Sequence, residues 1–325
     1  MIKVLHMFWC RITHGHKFSY VHEVNNKTIP YIICGKCGSS WESYPKQLFW
    51  LTVSFAVALF FIYPFVVGAI TQTHTADLEA GSEQSYSLSD AGAGGLLDDS
   101  ANMSWAFWVK LESDPSDCYA LINKDGGSQR AYEIYYDDAG CNGVANRLKV
   151  QTFDSDATNI RFHAVDQTLT AGTWYHIAST FAAGTIKIYV DGAEVTTNAS
   201  DSGSGNDIAN GDNIFCIGGH SFDISGAGCT DAIRYWYDGL IDDVRIWQRA
   251  ITATEVGDLY ATPCTFTNGA SFSGEWLFDN SPNDTSGNAL NLTANNTPTY
   301  QTGDLPYAAC PAAATPFDDT IFEIF

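Results

Sequence analysis

The chain has 325 residues, a length that allows two domains, and its apolar fraction of 45% excludes a wholly disordered chain. Its net charge of −21 is unevenly distributed: residues 1–46 hold six basic and two acidic residues, whereas residues 71–325 hold ten basic and 35 acidic ones. Because the acidic part repels polyanions, the composition excludes nucleic acid as a partner.

The N-terminal segment, residues 1–46, contains cysteines and histidines at spacings that suit a metal ion. Cys34 and Cys37 form a C-x-x-C pair, and Cys10 with a histidine would complete a tetrahedral zinc site. A segment this short cannot build a sufficient core, so a bound metal would stabilise it. The layout "GHKF" followed by C-x-x-C-G resembles small zinc-ribbon proteins of phages and bacteria, and this resemblance favours His16 over His14. The alternative is a set of free thiols.

Residues 47–70, "QLFWLTVSFAVALFFIYPFVVGAI", contain no charged residue and are long enough to cross a bilayer as one helix. A signal peptide is the alternative, but its apolar core is usually shorter and closer to the N-terminus. The basic flank lies on the N-terminal side. The positive-inside rule therefore predicts a single-pass membrane protein with residues 1–46 in the cytoplasm and residues 71–325 extracellular or periplasmic.

The sequence after residue 70 is typical of short strands. "MSWAFWVKLES" is apolar on both faces, as in an inner strand of a sandwich. "GTIKIYVDGAEV" alternates, and its Asp191-Gly192 pair predicts a tight hairpin turn. "TATEVGDLYA" predicts a short helix with Thr252 and Glu255 as a capping box. Many short strands between Gly, Asn and Asp turns predict an all-β antiparallel sandwich or jelly roll.

Five motifs support this fold in chain order: "SYSLSD", "MSWAFWVKL", "GTWYHIASTF", "IKIYVDGAEV" and "YDGLIDDVRIWQRAITATEV". Together they resemble the concanavalin A-like, laminin-G-like jelly roll across roughly Ala76 to Ala261. The segment "GEWLFDNSPNDTSGNALNLTANN" normally opens a domain of this family, but here it lies near the end of the chain. We expect residues 274–303 to complete the sandwich as a permuted segment. The alternative is the start of a truncated second copy, for which too few residues remain.

Six cysteines lie in residues 71–325, and an even count in an extracellular domain predicts disulfides. We expect sequence neighbours to pair, because each pair brackets a loop or hairpin whose ends should be close. The alternative is buried free thiols. The expected pairs are Cys118–Cys141, Cys216–Cys229 and Cys264–Cys310.

Adjacent aspartates, Asp242 and Asp243, open the strand "DDVRIW". Neighbours on a strand point to opposite faces unless a bulge intervenes. We therefore expect that they do not form the carboxylate pair of a glycoside hydrolase, and that the chain is not an enzyme.

The family resemblance implies instead a structural calcium ion near an aspartate of this strand and the D-x-S-G-N loop. Calcium takes six to eight oxygen ligands, and the resemblance nominates Asp242, Asp284 and Asn288, with Asp243 in reserve. The alternative is structural: the loop residues shape a turn, and the strand aspartates pair with Arg245 or Arg249.

Tyr235 and Trp236 are flat aromatic residues that could stack on a sugar, although they could equally belong to the core. We expect a membrane-anchored, surface-displayed, non-catalytic binding or adhesion protein that recognises a glycan or an extracellular protein. Two other functions stay open, since this fold hosts many. They are a structural or assembly component of an envelope or virion, and a carbohydrate-active enzyme.

Overall fold

The structure is a computed structural model. For residues 18–21, 31–34, 40–42 and 91–92 it describes the backbone alone. All other residues between 72 and 307 are described in full, with the exception of 94, 99, 115–117, 127–129, 138–144, 155–158, 221–228, 230–234 and 264–271. The chain divides into two compact units, Met1–Val66 and Val67–Phe325. Each unit is described by itself.

The first unit contains a three-stranded antiparallel sheet of β1 (Phe18–Val21), β2 (Tyr31–Cys34) and β3 (Ser40–Glu42). Cys34 ends β2, but Cys10, His16 and Cys37 lie outside the described residues, so the zinc site stays a prediction. The predicted membrane span, residues 47–70, also lies outside them. In the described part of the chain, no helix combines the length and apolar character needed to cross a bilayer.

The second unit is an all-β sandwich of two antiparallel sheets, the fold class that the sequence predicts. Sheet I has the strand order β14-β10-β9-β8-β7-β15-β5-β18, and sheet II has the order β13-β12-β11-β6-β16-β4-β19, with β17 also paired to β16. The strands of sheet I are β5 (Ser85–Leu88), β7 (Tyr119–Lys124), β8 (Tyr132–Asp137), β9 (Arg147–Phe153), β10 (Ile160–Asp166), β14 (Ser200–Gly203), β15 (Phe215–Ile217) and β18 (Thr293–Asn295). Those of sheet II are β4 (His74–Leu78), β6 (Asn102–Leu111), β11 (Trp174–Ala182), β12 (Thr185–Val190), β13 (Ala193–Glu194), β16 (Gly239–Trp247), β17 (Phe272–Trp276) and β19 (Thr299–Thr302).

The core lies between the two sheets and follows the period-2 alternation of the strands. Trp105 and Phe107 of β6 point inward, and Trp105 packs against Tyr132 of β8 with ring centroids 4.8 Å apart. On β12, Ile186 and Ile188 likewise enter the core. Each fully buried side chain of this size stabilises the fold by about 1.5–3 kcal/mol relative to the exposed state.

A helix and a hairpin turn form as the local sequence dictates. Helix α2 (Ala253–Ala261) begins after Thr252, which forms a capping box with Glu255, as predicted. The turn between β12 and β13 holds Asp191 at a φ of 49° and Gly192 at 80°, the left-handed conformation that favours an Asp-Gly pair. The other helix, α1, is the single turn Asp90–Ala93.

The C-terminal segment pairs with strands of both sheets. Strand β17 pairs with β16, β18 pairs with β5, and β19 pairs with β4. Trp276 and Phe278, which belong to this segment, are fully buried in the main core.

The assignment of residues 71–325 to an extracellular domain stays a prediction.

The disulfide Cys216–Cys229 is present in the sandwich, with the cysteine Cα atoms 5.8 Å apart. Cys118 is also disulfide-bonded. Its expected partner Cys141 lies outside the described residues, as does the expected pair Cys264–Cys310.

Candidate functional site

The outward face of sheet I carries a small pocket, here called the sheet I pocket. Strands β8 and β9 turn Glu133, Tyr135, Lys149 and Gln151 away from the core, because the residues between them point inward. Glu133 lies directly opposite Gln151, and Tyr135 opposite Lys149. The pocket has a volume of about 230 Å³, and its rim includes Asn123 of β7.

Two aromatic rings surround the cation in this pocket. The Nζ atom of Lys149 lies 5.2 Å from the ring centroid of Tyr135 and 4.6 Å from that of Phe162 on β10. Phe162 pairs across the strands with Gln151, so it belongs to the same face of the sheet. Aromatic rings at this distance attract an ammonium group through the negative face of the ring.

A buried network of charged side chains lies at one side of the pocket. The Nε2 atom of His220 lies 2.7 Å from Glu133 Oε1 and 3.6 Å from Asp125 Oδ2. Arg130 donates through Nε and Nη2 to both oxygens of Asp125, at 2.5 and 2.6 Å. Its guanidinium also lies over the ring of Phe153, 3.7 Å from the centroid. Such a fork fixes Asp125 in place.

Burial and hydrogen bonds set opposite pKa shifts within this network. Burial opposes the charged form of Asp125, but the hydrogen bonds from His220 and Arg130 outweigh it and hold the pKa of Asp125 well below its usual range. Burial, together with the neighbouring Asp125, raises the pKa of Glu133 to about 7. Burial alone would lower the pKa of His220, yet its two carboxylate partners raise it to about 9. His220 is therefore an imidazolium at neutral pH.

Three side chains of this network lie close enough together to hold a metal ion, but their hydrogen bonds and charges suit a metal poorly. One ligand atom each from Asp125, Glu133 and His220 lies within 4.8 Å of the other two. Two carboxylates and an imidazole suit a transition ion better than calcium. However, Arg130 occupies both oxygens of Asp125, and His220 would have to lose its proton. The charges of this network balance without a metal.

The aspartates that open β16 lie in a β-bulge of sheet II. Asp242 pairs with Trp108 of β6, and Arg245 with Ala106, so two residues oppose one at this point. Asp243, the first of those two, has a φ of 50°. The bulge is the exception that the alternation argument allowed, and it brings the Asp242 and Asp243 carboxylates to one hydrogen-bonded set of polar groups.

Those polar groups are Gln72 and Tyr307. Gln72 donates to Asp242 Oδ1 at 2.5 Å, and Tyr307 donates to Asp243 Oδ2 at 2.9 Å and to the Gln72 side-chain oxygen. Arg245 pairs with Asp243 at 3.3 Å, which is one of the structural alternatives drawn from the sequence. The Oδ2 atom of Asp242 is buried and has no hydrogen-bond partner among the described residues. Burial and the neighbouring Asp243 raise the pKa of Asp242 well above its usual range.

The loop nominated for calcium satisfies its own polar groups. Asp284 accepts hydrogen bonds from the backbone of Glu275, Ser286 and Leu290 and from the Ser286 hydroxyl. Asn288 donates to the carbonyl groups of residues 272 and 273. Among the residues nominated for calcium, Asp242 is the one whose buried carboxylate oxygen lacks a described hydrogen-bond partner. The calcium site stays a prediction.

The family comparison agrees with this architecture. A family model described as the concanavalin A-like lectin/glucanases superfamily matches residues 80–257. The chain belongs to this family. Solved structures of the same architecture include a protein from Bacteroides ovatus proposed to bind carbohydrate, with 19% identity over 74% of this chain and a TM-score of 0.50. The chain spans 62% of that protein.

A heptameric SAP-like pentraxin from Limulus polyphemus is also similar, with 11% identity over 72% of this chain and 97% of the pentraxin, and a TM-score of 0.51. At these identities, the likenesses show the concanavalin A-like fold alone.

Sequence reasoning found little of the sheet I pocket in this concanavalin A-like domain. Tyr235 lines the pocket, with its ring 6.0 Å from that of His220. Trp236 packs instead beside Ile214 and the Cys216–Cys229 disulfide. The other pocket residues were missed, although the alternation of "YEIYYD" and "RLKVQTF" could have marked Glu133, Tyr135, Lys149 and Gln151 as one face.

Proposed function

We propose that the sandwich is a non-catalytic glycan-binding domain, displayed at the cell surface by residues 47–70, and that it binds at the sheet I pocket. The observation that carries this proposal is the convergence of aromatic rings, an amide and a cation on one outward sheet face. Tyr135 and Phe162 offer apolar ring surface, and Gln151 and Lys149 offer hydrogen-bond donors. Sugars present both apolar faces and hydroxyl groups, so this mixture matches them.

The volume of the sheet I pocket favours a small sugar unit. The pocket volume of about 230 Å³ lies below the roughly 300–1,000 Å³ of pockets that take a drug-sized ligand. A single sugar unit at a chain end or branch therefore suits it. The carbohydrate-binding role proposed for the Bacteroides ovatus protein supports glycan binding in general.

The network beside the pocket favours binding over hydrolysis. A retaining glycosidase needs two carboxylates that both reach the sugar, about 5–5.5 Å apart. Glu133 lines the pocket, but the Asp125 side chain is 0% exposed and is held by Arg130. A nucleophile in this position could not approach a sugar carbon without breaking its ion pair.

Calcium belongs to this proposal as a stabiliser of the domain. Asp242 lies in sheet II, whereas the sheet I pocket lies on the other sheet. We therefore expect glycan contact itself to be independent of calcium.

The experiment is a glycan array probed with the purified full chain in mild detergent, once with calcium and once with a chelator. We expect binding in both buffers, and the variants Gln151→Ala and Tyr135→Ala should each weaken it at least about fivefold, the equivalent of about 1 kcal/mol. Tyr260→Ala is the matched control, because Tyr260 is a 40% exposed aromatic on helix α2.

Circular dichroism establishes that each variant is folded. Failure of the folded wild-type chain to bind any glycan would overturn the proposed function. Binding that Tyr260→Ala weakens, while Gln151→Ala leaves it unchanged, would move the site away from the sheet I pocket.

A further inference from the structure

Most of the described basic residues of the acidic sandwich are paired with carboxylates. Of the nine lysines and arginines described between residues 72 and 307, seven have a carboxylate oxygen within 4.0 Å. These seven are Lys110, Lys124, Arg130, Arg147, Lys187, Arg245 and Arg249. An eighth, Arg161, donates to the Gly205 carbonyl oxygen.

The ninth cation, Lys149, has no carboxylate partner within that distance among the described residues. Its Nζ atom lies over the faces of Tyr135 and Phe162, at the distances given above. The side chain is half-buried in the sheet I pocket, and this burial lowers the pKa of Lys149. Because burial penalises an unpaired ammonium group, an anion brought into the pocket would gain from pairing with it.

The neighbouring network does not supply that anion. Asp125 is matched by Arg130, and Glu133 is matched by the protonated His220. Because the pKa of Glu133 is raised to about 7, the two carboxylates carry no more negative charge than these two cations neutralise. Lys149 adds a further positive charge to the pocket, within a region of the chain whose overall charge is strongly negative. Glu133 and Asp137 act on it electrostatically, but neither forms an ion pair with it among the described contacts.

The side-chain amide of Asn123 is a second polar group of the pocket, and it favours a ligand that carries a hydroxyl. Asn123 lines the sheet I pocket and is 1% exposed. Its Nδ2 donates to the Gly219 carbonyl, which fixes the amide orientation. Its Oδ1 is buried without a hydrogen-bond partner in the described structure. A buried acceptor left unpaired costs about 1–3 kcal/mol, so a donor placed there by a ligand would be favoured.

Resting on the proposed function, we infer that the sheet I pocket selects a negatively charged sugar, whose acidic group pairs with Lys149 and whose hydroxyl donates to Asn123 Oδ1. The rings of Tyr135 and Phe162 complete the site beside the ion pair. A carboxylate and a sulfate share this chemistry. The acidic surface of the sandwich opposes nonspecific adsorption of polyanions, so recognition depends on this local cation.

The test uses the full chain and pairs of glycans that differ only in charge. The probes are a sialylated oligosaccharide and its asialo form, an oligogalacturonate and its methyl ester, and a sulfated oligosaccharide and its desulfated form. We expect binding to an acidic member and at least about tenfold weaker binding to its neutral partner, because a hydrogen bond to a charged group contributes about 1.5–3 kcal/mol. The three pairs distinguish carboxylate from sulfate.

Lys149→Met should weaken acidic binding by about the same factor, and Lys149→Arg should largely retain it. Lys187→Met is the matched control, because Lys187 is exposed and paired with Glu194 on sheet II. Equal binding of neutral and acidic partners, unaffected by Lys149→Met, would overturn this inference and leave the proposed function intact. No binding to any probe or to any array glycan would overturn both.

Discussion

At the scale of single residues, His220 shows how a charged network can be both buried and stable. Its imidazolium lies between Glu133 and Asp125, and Arg130 fixes Asp125 from the other side. Hydrogen bonds between charged groups are the strong ones, and they offset much of the cost of burial. The local sequence "NKDGGSQR" indicates only a hairpin loop, because His220 reaches this loop from a distant part of the chain.

The stability contribution of His220 should depend on pH. Its folded pKa of about 9 exceeds its ordinary value of 6.5. The contribution is therefore fully present below pH 6.5 and is lost as the pH rises through 9. We expect the unfolding free energy of the wild-type chain to fall by up to about 3 kcal/mol more than that of His220→Gln between these pH values. Urea unfolding followed by tryptophan fluorescence measures the difference.

His176→Phe is the control for this experiment. His176 is buried against Trp108, and burial, assisted by Arg245, lowers its pKa to about 3. Its own pH dependence therefore falls between pH 3 and 6.5, where stability declines as the pH falls. His176→Phe should keep the wild-type decline between pH 6.5 and 9. Identical pH profiles of the wild type and His220→Gln would contradict the ion-paired network.

At the scale of elements, local patterns predicted the strands and helix α2 well, and they predicted little of the contacts between strands. The capping box of Thr252 and Glu255 and the Asp191-Gly192 turn involve residues within four positions, so a single stretch of sequence contains the whole signal. The bulge at Asp243 depends on how β16 meets β6, β4 and β17. Its partners lie far away in the sequence, so alternation alone could not show whether a bulge intervenes.

The same reason explains why the sheet I pocket was missed. Asn123, Glu133 and Gln151 lie on the consecutive strands β7, β8 and β9, but His220 and Tyr235 join the pocket from a distant part of the chain. The return of these two residues to the face of sheet I is set by packing across the whole domain, which has no local sequence signal. The resemblance to the concanavalin A-like family predicted the architecture but assigned no role to these residues.

The C-terminal strands make a testable contribution to the core. Trp276 of β17 is fully buried, its ring stacks on Phe215 of sheet I with centroids 5.3 Å apart, and its Nε1 donates to the Leu290 carbonyl at 2.8 Å. Trp276→Ala should lower the unfolding free energy by about 3–5 kcal/mol. Urea unfolding measures this, with Tyr260→Ala as the exposed aromatic control. A loss no larger than that of the control would show that this segment adds little to the sandwich.

At the scale of the whole molecule, charge separates the two halves of the sequence. The basic N-terminal 46 residues and the acidic residues 71–325 flank an uncharged apolar segment, which is the basis for proposing surface display. Among the described residues of the acidic half, seven cations pair with carboxylates, whereas we propose that Lys149 pairs with a ligand. We infer that the sandwich is a scaffold and that its specificity resides in a few outward side chains of sheet I.

The measurement that tests this account most directly is side-chain oxidative footprinting of the full chain, with and without a saturating glycan identified on the array. We predict that the glycan lowers the oxidation of Tyr135 and Phe162 and leaves that of Tyr260 unchanged, because only the first two lie on the outward face of sheet I. Protection of Tyr260, with Tyr135 and Phe162 oxidised as in the free protein, would contradict the assignment of the glycan site to this face.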